Sequence, residues 1–223
     1  MILAAGAALA TVIPLEESSL DEIEEMINDG WWDDAGKELT GIIRQNGNSV
    51  KAHSMLAEIY LMELDMGRRM HWDEAEEHAK KAVELDVDNV YNLMLLGHIM
   101  GIKARNGSKL KAIGRAKTSL GSYEKAVELE PDNLQARIWL VNFHRNAPGF
   151  AGGDKDEARR QAAAIAKIDP VEGHYSQADI FEFMDKDLEK AEAELKAALA
   201  MDPGESKPYY MYGNFLSRNG RYE

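Results

Sequence analysis

The chain has 223 residues, 45% of them hydrophobic, and a formal net charge of −13. That length holds one large domain or a short repeat array with a sizeable core. The negative field repels phosphate backbones and anionic lipid, which argues against nucleic acid and membrane surfaces as partners. The absence of cysteine excludes disulfides, Cys-zinc sites, thiol nucleophiles and a lipid-modified N-terminal Cys.

Residues 1–13 carry no charge and are too few to span a bilayer as a helix. They have the length of a signal-peptide apolar region, and Ala8-Leu9-Ala10 fits a small-x-small cleavage site, but no basic segment precedes them. Two readings stand. One is the tail of an export signal, which places the protein in a periplasm or outside the cell. The other is an apolar N-terminal helix packed on the first helical pair. The domain division predicted is an apolar segment over 1–16 and a helical array over 17–223.

From residue 17 the pattern is helical, in a composition rich in Ala, Glu, Leu and Lys and poor in Pro. Ala35, Leu39 and Ile42 lead into a turn at 41–48. A helix over 50–62 carries Leu56-Ala57 with Tyr60. An elongated connection (61–74) reads as a helix extension broken at Gly67. Ala75, Ala79 and Ala82 then share a face that ends in an acidic turn at 82–89. The 90–102 helix carries Leu96-Gly97 with Met100. The connection at 101–117 is locally basic (Lys103, Arg105, Lys109, Lys111, Arg115 and Lys117). It reads either as a docking patch for an acidic partner or as a lengthened, solvated hairpin. Ser119, Tyr123 and Ala126 lead to a turn containing Pro131, and the 134–146 helix carries Leu140-Val141 with His144.

The connection at 146–158, NAPGFAGGDKDEA, differs from the others. Its Ala-Pro-Gly and Gly-Gly predict turns with positive φ and an ordered loop. Asp154 is the predicted N-cap of the next helix. Ala158, Ala162 and Ile165 come next, and Pro170 marks the following stop. Tyr175, Ala178, Ile180 and Phe183 fit the period poorly. Ala191, Leu195 and Ala198 restore it before Pro203, and Tyr212-Gly213 with Leu216 opens one more helix over 206–218.

Equivalent turn positions Gly47, Val87, Pro131, Pro170 and Pro203 are spaced by 40, 44, 39 and 33 residues. This recurrence of small-and-large helix pairs with terminal acidic turns resembles the tetratricopeptide repeat family. The 146–158 loop is similar to that of bacterial, exported members. The resemblance covers about residues 17–223. It implies an all-α, right-handed α-solenoid of stacked helix-turn-helix repeats, about five of them plus the first helix of a sixth. It also implies a scaffold whose first helices line a concave face. Carried over by register, that face would present Tyr91, Met94 and His98, then Gln135, Ile138, Asn142 and Arg145, then Lys207, Tyr210, Asn214 and Arg218. The 50–62 helix would add Lys51, Ser54 and Glu58.

An amide such as Asn142 or Asn214 can both donate to and accept from a peptide backbone, and Tyr and Met give adaptable apolar contact. The expected occupant is an extended peptide or a helix laid in a groove. The same residues would instead contact neighbouring repeats if no groove is open. Alternatives are a ligand-binding accessory of an exported transport system, an enzyme regulator, or a self-assembling array.

No catalytic residues are predicted. The chain lacks a phosphate-binding Gly-x4-Gly-Lys-Ser/Thr loop, a Gly-x-Ser-x-Gly elbow and a His-Glu-x2-His pair. His71 and His78 could share a face, but no carboxylate ligand is specified, and His98 and His144 read as packing or groove residues. Asp86-x-Asp88-Asn89 lacks the Gly and Glu of a calcium loop. No metal and no cofactor are expected.

Overall fold

Small residues at helix spacing become helix-to-helix contact. A computed structural model describes residues 15–68, 70–201 and 204–221, and every regular element among them is helical. Residues 1–14, which carry most of the apolar segment and the export reading, lie outside the described residues, as do Pro203 and the last two residues. The chain divides into two compact units, Met1–Leu85 and Asp86–Glu223.

The first unit contains α1 (Leu15–Asn28), α2 (Trp32–Gln45), α3 (Val50–Asp65) and α4 (Trp72–Leu85), each packed on the next. Ala35, Ala75, Ala79 and Ala82 are fully buried, where the space between helices admits only a methyl. Leu39, Leu56 and Ile59 fill the gaps beside them, each contributing roughly 2–3 kcal/mol of hydrophobic stabilisation. Asp33 and Asp34 sit in the first turn of α2, and Asp73 and Glu74 in that of α4, where the helix dipole favours negative charge. Gly67 takes a positive φ and ends α3 after Asp65.

Three histidines of this unit cluster around Tyr60. The ring of His71 stacks on Tyr60 at 4.4 Å, and its Nδ1 lies 2.7 Å from the buried carboxylate of Glu63. His53 Nε2 lies 3.3 Å from the Gly47 carbonyl, and its Nδ1 lies 2.8 Å from Nδ1 of His78. A carbonyl only accepts, so the Nε2–H of His53 donates to Gly47, and the Nδ1–H of His78 donates to His53. Among the described residues no three His, Asp or Glu side chains are grouped to hold a metal.

Burial, followed by the His53 imidazole, holds His78 below its ordinary pKa of 6.5. As pH falls, the unfolded chain takes this proton first. The stability associated with a neutral His78 is thus full above its unfolded pKa and is lost as pH falls below it. Thermal unfolding of the first unit should have a lower midpoint at about pH 5.5 than at about pH 7.5, and His78→Gln should shrink that difference. An equal difference in the variant would remove the pair as its source.

The second unit contains α5 (Val90–Asn106), α6 (Lys109–Leu129), α7 (Leu134–Asn146), α8 (Lys155–Ile168), α9 (Pro170–Asp179), α10 (Leu188–Met201) and α11 (Ser206–Arg218). Asn and Asp side chains start four of these helices, and Asp169 also flanks the end of the helix before. Asn89 accepts from the Asn92 N–H, Asn133 from Ala136, Asp154 from Asp156 and Glu157, and Asp169 from Val171 and Glu172, with Pro170 opening α9. The α5–α6 pair is the longest. Gly97 lies under the Tyr123 ring, and the Ser119 hydroxyl donates to the Gly97 carbonyl at 2.7 Å.

The stretch that fits the repeat period poorly has a physical reason. Ile180–Asp185 forms a π-helical turn after α9, and Lys186 then takes a left-handed φ of 59°. Each π turn inserts an extra residue. Tyr175 and Ala178, on α9 ahead of that turn, and Ile180 at its start are buried, while Phe183 within it is left 40% exposed.

Candidate binding cleft beside the Ala-Pro-Gly loop

The loop after α7 is tightly built. Gly149–Ala151 forms a single 3-10 turn. Ala151 and Gly153 both donate to the Pro148 carbonyl, at 2.8 and 3.1 Å. Of the loop's three glycines only Gly152 has positive φ (102°), so the expectation of positive φ at both Ala-Pro-Gly and Gly-Gly is corrected to one position. Gly153 is required for a different reason: a Cβ there would lie 1.8 Å from the Ala147 carbonyl oxygen. His144 ties the loop to α7, because its Nδ1–H donates to the Gly152 carbonyl at 3.2 Å. Its Nε2 is buried without a hydrogen-bond partner among the described residues.

The loop closes one side of an open cleft of about 860 Å3. From α5 come His98, Gly101, Ala104 and Arg105. From α6 come Ala112, Ile113, Ala116, Ser119 and Tyr123. From α7 come Trp139, Asn142, Phe143, Arg145 and Asn146, and the loop adds residues from Ala147 to Ala151. The aromatic wall is fixed by ring contacts: Trp139 packs on His98 at 4.9 Å and on Tyr123 at 5.4 Å. Burial pushes the Tyr123 hydroxyl up, so it stays neutral. Phe150 stands 74% exposed in the loop. The site is concave, mostly apolar and carries a few oriented polar groups, the usual form of a binding pocket.

Arg145 links this cleft to the π turn. Its guanidinium pairs with Asp179 and donates to Asn142 Oδ1 at 3.0 Å, and it lies 4.8 Å from the centre of the Phe183 ring. Arg218 lies over the same ring at 5.4 Å. It also donates two hydrogen bonds to Glu182, at 3.0 and 2.7 Å, and Asn219 donates to Glu182 at 3.1 Å. Burial pushes the Asp179 carboxyl up, against the pull of Arg145.

Of the residues assigned by register, His98, Asn142 and Arg145 meet in the cleft. Arg145 and Arg218 meet on the Phe183 ring. Tyr91 and Gln135 are exposed, Met94 and Asn214 are half-buried, and Tyr210 is 68% exposed, all away from the cleft lining. Ile138 packs on the core of Val141, Ala162, Ile165 and Ile180. Lys207 pairs with Glu172 and lies over the Tyr175 ring. In the first unit, Lys51 pairs with Asp21 and Glu24, and the Ser54 hydroxyl donates to the Val50 carbonyl. Register missed Trp139, Phe143, Phe150 and Ile113. For Ile113 and Phe150 the sequence signal is the lengthened connections at 101–117 and 146–158, whereas Trp139 and Phe143 lie within the regular α7. Of the six cations at 101–117, Lys103 and Arg115 are buried, and Arg115 donates to the Lys103 carbonyl.

The tetratricopeptide repeat family matches residues 194–223. The transcriptional regulator HilA of Salmonella typhimurium is 28% identical over 138 residues, covering 48% of this chain and 25% of that protein. The chain thus spans about a quarter of the length of the curated relatives it matches. A thermophilic tetratricopeptide repeat protein of Thermus thermophilus superposes with a TM-score of 0.66 at 18% identity, covering 90% of this chain and 98% of that one. YrrB, described as a tetratricopeptide repeat protein with an unusual peptide-binding site, superposes with a TM-score of 0.59 at 20% identity, covering 86% and 88%. The chain carries a tetratricopeptide repeat at its C-terminal end and has the all-α fold of tetratricopeptide repeat proteins along most of its length.

Proposed function

We propose that this chain is a non-catalytic scaffold that holds a peptide segment of a protein partner in the cleft formed by α5, α6, α7 and the Ala-Pro-Gly loop. The observation that carries the reading is the cleft itself: about 860 Å3, open, walled by aromatic rings, with Asn142 and His98 as polar contacts. The peptide-binding site of YrrB, which shares the fold, supports it. Trp139 and Phe150 are the energetic anchors, because buried aromatic contacts dominate such interfaces.

A random-peptide phage library selected on the immobilised chain tests this. Peptides that enrich should bind Phe150→Ala and Trp139→Leu about tenfold more weakly than wild type. Tyr210→Ala, outside the cleft, should bind them unchanged. The reading fails if no peptide enriches, or if Tyr210→Ala alone weakens binding.

A further inference from the structure

The charges around the cleft specify its occupant further. The chain carries 39 acidic and 26 basic residues, yet every ionisable lining residue other than His98 and Tyr123 is an arginine. Arg145 is neutralised by Asp179. Arg105 is exposed and makes no ion pair among the described residues. Lys109 and Lys117 share that condition. Helical spacing sets them beside the cleft: Lys109 lies three and four residues before Ala112 and Ile113, and Lys117 lies four after Ile113. Elsewhere Lys51, Lys80, Arg159, Arg160 and Lys196 are paired, while Arg44, Lys155, Lys167 and Lys186 are exposed singly and without an ion pair among the described residues.

Two further observations agree. α6 begins Lys109-Leu110-Lys111 with no acid in its first turn, so its cations sit where the helix dipole disfavours them. Of the other helices, α2, α4, α8, α9 and α10 begin with acids and α3, α5, α7 and α11 carry none in the first turn, so the pair of lysines is what marks α6. Leu110 is 97% exposed and Ile113 is 44% exposed, so apolar surface alternates with this charge.

We infer that the occupant is an acidic peptide segment bearing an apolar anchor, with its carboxylates on Arg105 and Lys109 and its anchor against Trp139, Ile113 and Phe150. This rests on the proposal that the cleft is a peptide scaffold. Nucleic acid is the competing polyanion. It is disfavoured because the rest of the chain is strongly acidic and the cleft itself holds one arginine without an internal partner.

The same phage selection, read for composition, is the test. Enriched peptides should place Asp or Glu next to Leu, Phe or Trp. Their affinity should fall about tenfold for Arg105→Glu/Lys109→Glu and should weaken as salt rises. Both substituted residues are exposed, and a matching thermal midpoint verifies folding. If that variant fails to fold, wild-type composition and salt dependence decide alone. Neutral or basic peptides that enrich and are lost in Trp139→Leu would overturn the acidic assignment and leave the scaffold reading standing. No enrichment would end both. A random single-stranded RNA pool that binds more tightly than any peptide would replace the assignment with nucleic acid.

Discussion

Gly173→Ala is expected to destabilise the second unit by about 2–3 kcal/mol, the cost of overpacking a closely fitted interface. A Cβ at this position would lie 2.4 Å from the Ala166 Cβ and 2.5 Å from its Cα. The obstacle is backbone, so no rotamer change relieves it and α8 and α9 must part. The same two helices share Asp169, the C-terminal flank of one and the N-cap of the other, so little slack is available between them. Gly121 is the control. It lies exposed within α6, and a Cβ there would meet nothing within 4 Å. Gly121→Ala removes the entropic cost of a helical glycine and should stabilise by roughly 0.5–1 kcal/mol. Urea unfolding midpoints of the two variants should therefore move in opposite directions from wild type. A Gly173→Ala midpoint at or above wild type would mean that α8 and α9 approach less closely than described.

Periodicity carried the helices because the period reports packing directly. Ala75, Ala79 and Ala82 are spaced for one face, and that face is fully buried. Leu56-Ala57 and Leu140 behave likewise. The same rule failed at Phe183. A π turn shifts every later side chain relative to an α-helical register, and no residue type between Ile180 and Asp185 announces that shift. Asp154 was legible as a cap because its chemistry is local: one carboxylate accepts from the Asp156 and Glu157 N–H groups. The need for glycine at position 153 was also legible, but its cause was not. Approach to the Ala147 carbonyl is a contact six residues away, invisible to turn rules that consider only φ.

The cleft was only partly legible for the same reason. Register on first helices finds His98, Asn142 and Arg145, since α5 and α7 are regular. The remaining wall comes partly from regular positions of α6 and α7, such as Tyr123, Trp139 and Phe143, and partly from features that depart from the repeat: the extended ends of α5 and α6 and the loop after α7. Each departure is visible in the sequence as extra length. That the two extensions line one cavity is a matter of tertiary placement, and neither segment encodes it alone. Arg218, which register assigns to the concave face, lies outside this cleft and contacts Glu182 and the Phe183 ring.

Arg145→Leu is expected to cost about 2–3 kcal/mol, because removing one partner of a mostly buried ion pair strands the other. Arg145 and Asp179 are each less than a third exposed, so solvent offsets only part of that loss. Without the guanidinium, Asp179 faces the Glu182 carboxylate, with Arg218 as the remaining nearby cation. Its carboxyl, already raised by burial, should rise further. The sign of the pH dependence is then fixed. A folded-state pKa above the unfolded value favours the folded state at low pH, and the benefit is lost as pH rises through the folded pKa. The deficit of Arg145→Leu relative to wild type should thus be largest at about pH 7.5 and smaller at about pH 5. Adding Asp179→Asn, which keeps the shape and removes the charge, should recover most of the loss at neutral pH and abolish its pH dependence. A deficit that is independent of pH and unrelieved by Asp179→Asn would assign the cost to lost packing on Phe183, leaving the ion pair without a net role in stability.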